Sequence, residues 1–248
     1  MRKAVLIQLT TILLLALSTG VYATKTVPKK VLLIERNEDI TGDGISEKII
    51  IKGVPFQDND IFKEFQLTIK LSNNKVIKEE LEYGVEPKIY LIDLNHDRIK
   101  DVFISLPTVQ SGEEGNQYLY SAKDFKINKI NVPDLLEIDG QFTDEYKAKI
   151  SIPATNKHLV FDLINRKEKY DSLGMYQNSK LNEPFELMIS PTGEIKPIST
   201  EGNGNLLKCT QRICGTSKSD TIALVESTWK YKKGDWQLVA AEVKEMNN

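Results

Sequence analysis

The sequence predicts an all-β, antiparallel fold, and three observations carry that prediction. Apolar, β-branched runs recur at strand length, polar turns separate them, and helical periodicity is weak throughout. The runs fall at 31–34, 49–51, 65–71, 76–81, 89–92, 102–106 and 118–120, then at 146–152, 158–164, 185–189, 206–213, 222–231 and 236–243. Between them stand Gly, Pro, Asn, Asp and Ser, which supply turn conformations. Residues 58–63 suggest at most one helical turn.

Two kinds of strand are expected. Val31-Leu32-Leu33-Ile34 and Ile49-Ile50-Ile51 are apolar at consecutive positions, so both faces should be covered, as in a sandwich or between propeller blades. Residues 65–71 alternate, so one face should be wet. That contrast suits a β-propeller-like or incomplete propeller built of small blades. Asp39 and Asp93 open equivalent loops, 54 residues apart (93 minus 39), each between two apolar runs. Such a spacing fits a repeat of about four strands. The loop-bearing repeats span 31–53 and 88–106; beyond 110 the period blurs, and 177–182 breaks it.

The N-terminus sets the expected compartment. Met1-Arg2-Lys3, an apolar run to Ser18 and Val21-Tyr22-Ala23 form the pattern of a secretory signal cleaved after Ala23. The run is shorter than the roughly 20 residues a bilayer span requires. Residues 24–248 are then expected to leave the cell as a single all-β domain without membrane contact, and Thr24 offers no thiol for lipid attachment. Removing Arg2 and Lys3 leaves 31 basic against 35 acidic residues, a formal charge of −4. Mild acidity with no basic block argues against nucleic acid. An oxidising exterior favours pairing of Cys209 with Cys214. Positions five apart on a straight strand lie roughly 16 Å from each other, whereas a disulfide needs Cα atoms within about 7 Å. Either the chain turns between Thr210 and Ile213 and the disulfide forms, or the thiols stay free.

The candidate site lies in the two acidic loops. They read Asp39-Ile40-Thr41-Gly42-Asp43-Gly44-Ile45-Ser46-Glu47 and Asp93-Leu94-Asn95-His96-Asp97-Arg98-Ile99-Lys100-Asp101. Oxygen-bearing side chains fall at positions one, three, five and nine of each. Ile45 and Ile99, at position seven, offer a carbonyl. Alternate inward residues with one backbone oxygen are how a chain wraps Ca2+, which takes about six to eight oxygens. Each loop gathers three carboxylates that repel one another without a cation. Arg98, Lys100 and Lys48 stand off the pattern and should face away, as should His96 at position four. An EF-hand is excluded, because its position twelve requires Glu and here holds Ile50 or Ile104 within strands. Solvated hairpin turns are the bland alternative; two loops with the same spacing and flanks favour calcium. Arg98 replaces Gly44 at position six. If that position needs positive φ, arginine costs roughly 1 kcal/mol and weakens the second site.

These segments resemble the calcium loops of FG-GAP/VCBS-type repeats, found in integrin-like β-propellers. The layout is also similar to small secreted VCBS-repeat-containing proteins of Gram-positive, Bacillus-like bacteria. There a Gly/Ser-rich loop follows the second calcium strand, as Ser111-Gly112-Glu113-Glu114-Gly115-Asn116 does here, and a hairpin like 227–238 ends the chain. The resemblance is specific over 31–125, loose over 200–243 and absent between. It implies calcium with a binding or adhesion role and no agreed reaction, the partner being a protein or glycan at a cell or spore surface. A third loop would be expected before Leu206, where Glu201-Gly202-Asn203-Gly204-Asn205 has one carboxylate and so predicts no third ion.

Catalytic signatures are missing: no G-x-S-x-G, no P-loop and no H-E-x-x-H. His96 and His158 sit in different units. The expectation is a non-catalytic protein; the alternative is a secreted hydrolase acting on cell wall or glycan, whose carboxylate pair 35 acidic residues leave unidentified. Trp229, Tyr231 and Trp236 could stack on sugar rings, but cross-strand packing is the more frequent use of such residues, and of Tyr118 and Tyr120. Residues 111–116 form the candidate contact loop.

Overall fold

A computed structural model describes residues 29–56, 61–108, 115–190 and 193–246. The expected signal segment 1–23, residues 58–60 and residues 111–114 of the contact loop lie outside it. Strand accounts for 58% and helix for 7%, and every strand pair is antiparallel, so the fold is all-β as the periodicity requires.

The first sheet is a four-stranded meander of β1 (Val31–Glu38), β2 (Glu47–Pro55), β3 (Phe62–Lys70) and β4 (Val76–Leu81). A second meander repeats it with β5 (Lys88–Ile92), β6 (Asp101–Pro107), β7 (Gly115–Ser121) and β8 (Asn128–Ile130). A three-stranded sheet follows, of β9 (Asp139–Thr143), β10 (Lys147–Ile152) and β11 (Lys157–Asp162). Next come the helix α1 (Lys167–Ser172) and a small ribbon of β12 (Tyr176–Gln177) and β13 (Lys180–Leu181), where the 54-residue period breaks. The last sheet holds β14 (Met188–Ile189), β15 (Glu194–Thr200), β16 (Gly204–Cys214), β17 (Thr221–Lys232) and β18 (Asp235–Glu245). Strands β15 to β18 form a third four-stranded meander, and β14 pairs with the far end of β16.

The sheets stack through three apolar cores. Ile49, Ile51, Leu67 and Ile69 of the first meander meet Val102, Ile104 and Tyr120 of the second. Phe103, on the opposite face of β6, joins Leu207 and Cys209 of the last sheet. Phe142, Ile150 and Phe161 of the three-stranded sheet pack with Tyr170, Ile213, Ile222 and Val225. Every residue of β6 is buried because a different sheet covers each face. Its apolar side chains Val102, Phe103, Ile104 and Leu106 each contribute about 1.5–3 kcal/mol by leaving water.

Three expectations need correction. Strand β1 is not covered on both faces: it pairs only with β2, and Leu32 is 56% exposed at this sheet edge. Cys209 and Cys214 form no disulfide. Both lie in the continuous strand β16, which does not turn between them, so their Cα atoms stay too far apart. The Cys214 thiol instead donates to the Lys218 carbonyl at 3.6 Å. Finally, helix α1 was unforeseen, because Tyr170 is its single buried residue and one apolar position in six makes no periodic signal.

Candidate functional site

Each acidic loop joins the first two strands of its meander, β1 to β2 and β5 to β6. Position two is a fully buried pin in both, Ile40 and Leu94, each 0% exposed. The remainder of the second loop alternates about this pin. In the second loop Asp93, Asn95, Asp97 and Ile99 are half-buried and Asp101 is buried, while His96, Arg98 and Lys100 are exposed. In the first, Thr41 and Glu47 are buried, Asp39 is half-buried, and Asp43 and Ile45 are exposed. The off-pattern lysines do face away: Lys48 pairs with Glu35 at 2.6 Å and Lys100 with Glu38 at 2.9 Å.

The loops share three hydrogen bonds in register. The carboxylate at position one accepts the N–H of position six, Gly44 to Asp39 at 2.9 Å and Arg98 to Asp93 at 3.0 Å. Position five accepts from position seven, Ile45 to Asp43 at 2.8 Å and Ile99 to Asp97 at 3.0 Å. Position nine accepts from position two, Ile40 to Glu47 at 3.0 Å and Leu94 to Asp101 at 2.9 Å. Positions four and six take positive φ in both: 84° and 82° at Gly42 and Gly44, 63° and 73° at His96 and Arg98. The second loop therefore holds two side-chain-bearing residues where the first uses glycine, at roughly 1 kcal/mol each.

In the first loop Asp39, Asp43 and Glu47 each offer one oxygen, all within 4.8 Å of one another. Among the described residues no basic side chain pairs with any of the three. Glu47 is 0% exposed and is held by the Ile40 N–H, the Thr41 hydroxyl at 3.4 Å and the Ser72 N–H at 3.2 Å. The Ser72 hydroxyl donates to Asp43 at 2.6 Å. That hydroxyl, with the Ile45 N–H, holds the Asp43 carboxyl below its ordinary value. Ser72 escaped sequence reasoning because it arrives from the β3–β4 turn, outside the nine-residue pattern.

The second loop is compensated differently. Burial pushes the Asp101 carboxyl up to about 6, against the N–H groups of Leu94 and Asn95, and the charges of Asp97 and Asp93 push the same way. Lys123, just after β7, places its ammonium 3.6 Å from Asp97. Asn95 is tied down, donating to Asp101 at 2.9 Å and accepting the Asp97 N–H at 2.9 Å.

The loops touch. The Thr41 carbonyl accepts the Asp124 N–H at 3.2 Å, and Ile99 packs so closely on Gly42 that a Cβ there would lie 2.6 Å from its Cδ1. Asn205 donates to the Asp93 carbonyl at 2.8 Å. The 201–203 turn, joining β15 to β16, thus occupies the third meander's counterpart of the acidic loops, and Gly202 and Gly204 keep positive φ there. Of the other candidates, Tyr118 and Tyr120 are buried in the first core, and His158 is exposed on β11. Trp229, Tyr231 and Trp236 gather at the β17–β18 hairpin.

With this geometry in hand, comparison with known proteins gives two matches. Residues 136–244 match the YybI C-terminal domain, a segment that takes in the three-stranded sheet and nearly all of the last sheet and leaves both acidic loops outside. The chain is 23% identical over 215 residues to "Uncharacterized protein YybI" of Bacillus subtilis (strain 168), covering 83% of this chain and 81% of that protein. No solved structure matches. Among the described residues no helix is long and apolar enough to cross a membrane.

Proposed function

We propose that this protein is an exported, non-catalytic calcium-binding module whose meanders stack as blades of an incomplete propeller. Calcium is structural in this reading, tying the first two strands of a blade together. Asp39, Thr41, Asp43, Glu47 and the Ile45 carbonyl form the principal site. Asp93, Asn95, Asp97, Asp101 and the Ile99 carbonyl form a weaker one, since Lys123 already answers part of its charge and Arg98 sits at positive φ. The observation that carries the proposal is the first loop: three carboxylate oxygens converge within 4.8 Å, one from a wholly buried side chain, with no basic partner among the described residues. Hard oxygen donors of this number and charge fit calcium. The secretory pattern of residues 1–23 and the FG-GAP/VCBS resemblance support export and a partner, protein or glycan, at a cell or spore surface.

The test is thermal melting in calcium, in magnesium and in chelator. Extracellular modules bind calcium at about 10⁻⁴–10⁻³ M. At about 10 mM calcium this stabilises the fold by about 1.4–2.7 kcal/mol, or about 3–10 °C for a chain of this size. Equal melting temperatures in calcium and chelator would sink the reading.

The hydrolase alternative draws on one arrangement. Ser151 lies between Asp139 and His158 on adjacent strands and donates to Asp139 at 3.3 Å. A serine nucleophile needs its histidine held by the carboxylate; here serine is central and His158 is exposed, so binding is the better reading. Turnover of a chromogenic acetyl ester, lost on Ser151→Ala, would reverse that preference.

A further inference from the structure

We propose that the groove between residues 128–134 and the β17–β18 hairpin binds a neutral, β-1,4-linked saccharide of gluco configuration. This deepens the binding-module reading by naming a ligand class and a place for it, without requiring the metal.

The groove is open and about 640 Å³ in volume, within the range of small-ligand sites. Trp229, Tyr231 and Trp236 line it. The polar edge of each indole is already engaged: Trp236 Nε1–H donates to the Asn131 carbonyl at 2.7 Å, and Trp229 Nε1–H to the Ser227 hydroxyl at 2.9 Å. Tyr231 meets Trp236 edge-on, with centroids 5.1 Å apart and planes at 67°. All three rings are half-buried, with Trp229 and Trp236 packed on the cores beneath, so they are held in place, and the part left to a ligand is aromatic surface. Beside them the side chains of Asn128 and Asp134 have no hydrogen-bond partner among the described residues. One Asp235 oxygen accepts the Trp236 N–H, leaving the other for a ligand.

Rigid aromatic faces bordered by unspent amide and carboxylate groups match a pyranose, which presents C–H groups on its face and hydroxyls around its rim. Rings with every substituent equatorial are the flattest, and a β-1,4 linkage keeps successive rings extended, as an open groove allows. Charge narrows the choice further. Asp134 and Asp235 outnumber the single lining lysine, Lys129, whose ammonium lies over the Tyr118 ring at 5.1 Å. Within the lining that balance disfavours anionic polysaccharides and nucleic acid; Lys230, Lys232 and Lys233 of the same hairpin stand outside the lining.

The experiment titrates residues 24–248 with cellohexaose and with the hexamer of β-1,4-N-acetylglucosamine, following tryptophan fluorescence and heat, in calcium and in chelator. The expected result is saturable submillimolar binding to at least one hexamer. Asp134→Ala should weaken it tenfold or more with the melting temperature unchanged, since that side chain supports nothing else. Trp236→Ala should abolish it, with the melt reporting any cost to the adjoining core. Failure of both hexamers to bind the folded protein overturns the inference, as does binding that survives both substitutions. A protein that melts higher with calcium yet binds neither hexamer retains the metal reading and loses this one.

Discussion

Replacing Asp101 by Asn should stabilise the metal-free protein, and calcium should shrink that advantage. Asp101 is 1% exposed, and burial pushes its carboxyl from an ordinary 3.8 to about 6, with Asp97 and Asp93 adding to the push. A raised carboxyl pKa means that the folded state holds the proton more tightly than the unfolded chain, so ionisation works against folding. The penalty is absent below pH 3.8, grows between there and about 6, and is complete above. At about 1.4 kcal/mol per tenfold change in proton affinity, it amounts to about 3 kcal/mol at neutral pH. Asn keeps one acceptor where Asp has two, and losing the bond from Asn95 takes back about 1 kcal/mol. The net gain is about 2 kcal/mol in chelator at pH 7, about 4–8 °C in melting temperature. Under the calcium proposal the ion at about 10 mM takes back about 1.4 kcal/mol or more of this gain, because it needs the charge that the substitution removes. Urea or thermal melts of both proteins from pH 4 to 7.5, with calcium and with chelator, measure all of this. An Asp101→Asn protein less stable than wild type in chelator at pH 7, or a wild type whose chelated stability does not fall between pH 4 and 6, would refute the reasoning.

Further outcomes test neighbouring features. Lys123→Ala removes the ammonium 3.6 Å from Asp97 and should tighten calcium at the second loop about two- to fivefold by calorimetry, exposure limiting the effect. Gly42→Ala sets a side chain at φ 84° against Ile99 and should cost about 1–2 kcal/mol in urea melts, with weaker calcium binding. Asp220 is 4% exposed and meets Arg166 at 2.9 Å, Lys169 at 3.1 Å and the Tyr170 hydroxyl at 3.0 Å. Burial pushes its carboxyl up, but the Thr216 N–H, Lys169 and Tyr170 outweigh burial and hold it below 3.8. Its contribution is therefore present above pH 3.8 and lost as pH falls through the folded value. Asp220→Ala should cost about 3 kcal/mol at pH 7 and flatten the acid limb of the stability curve.

Local pattern accounts for much of this protein. Two-residue alternation and turn residues were enough to place most of the strands, because strand identity depends on which side chains fit a pleated, half-buried surface. The nine-residue spacing of the acidic loops likewise anticipated the alternation of the second loop, whereas in the first Asp43 and Ile45 are exposed and only Asp39, Thr41 and Glu47 lie inward. Of the third meander only β15 escaped, because it carries Pro197 and few apolar residues, a composition tolerated at an edge strand that pairs only with β16. The turn that follows it, 201–205, has one carboxylate, Glu201, where each of the other two loops has three.

What only the tertiary structure decided is how separate segments meet. Nothing in residues 31–34 says that no sheet covers β1, and nothing in the spacing of Cys209 and Cys214 says that β16 stays straight between them. Ser72 reaching Asp43, Lys123 reaching Asp97 and Asn205 reaching Asp93 are likewise consequences of sheets stacking with their turns at one end. The sequence by itself determined most of the strands and the order of the oxygen-bearing residues, because short-range geometry repeats along the chain. The stacking of the meanders determined which charges find partners, because burial and distance are set by residues far apart in the chain.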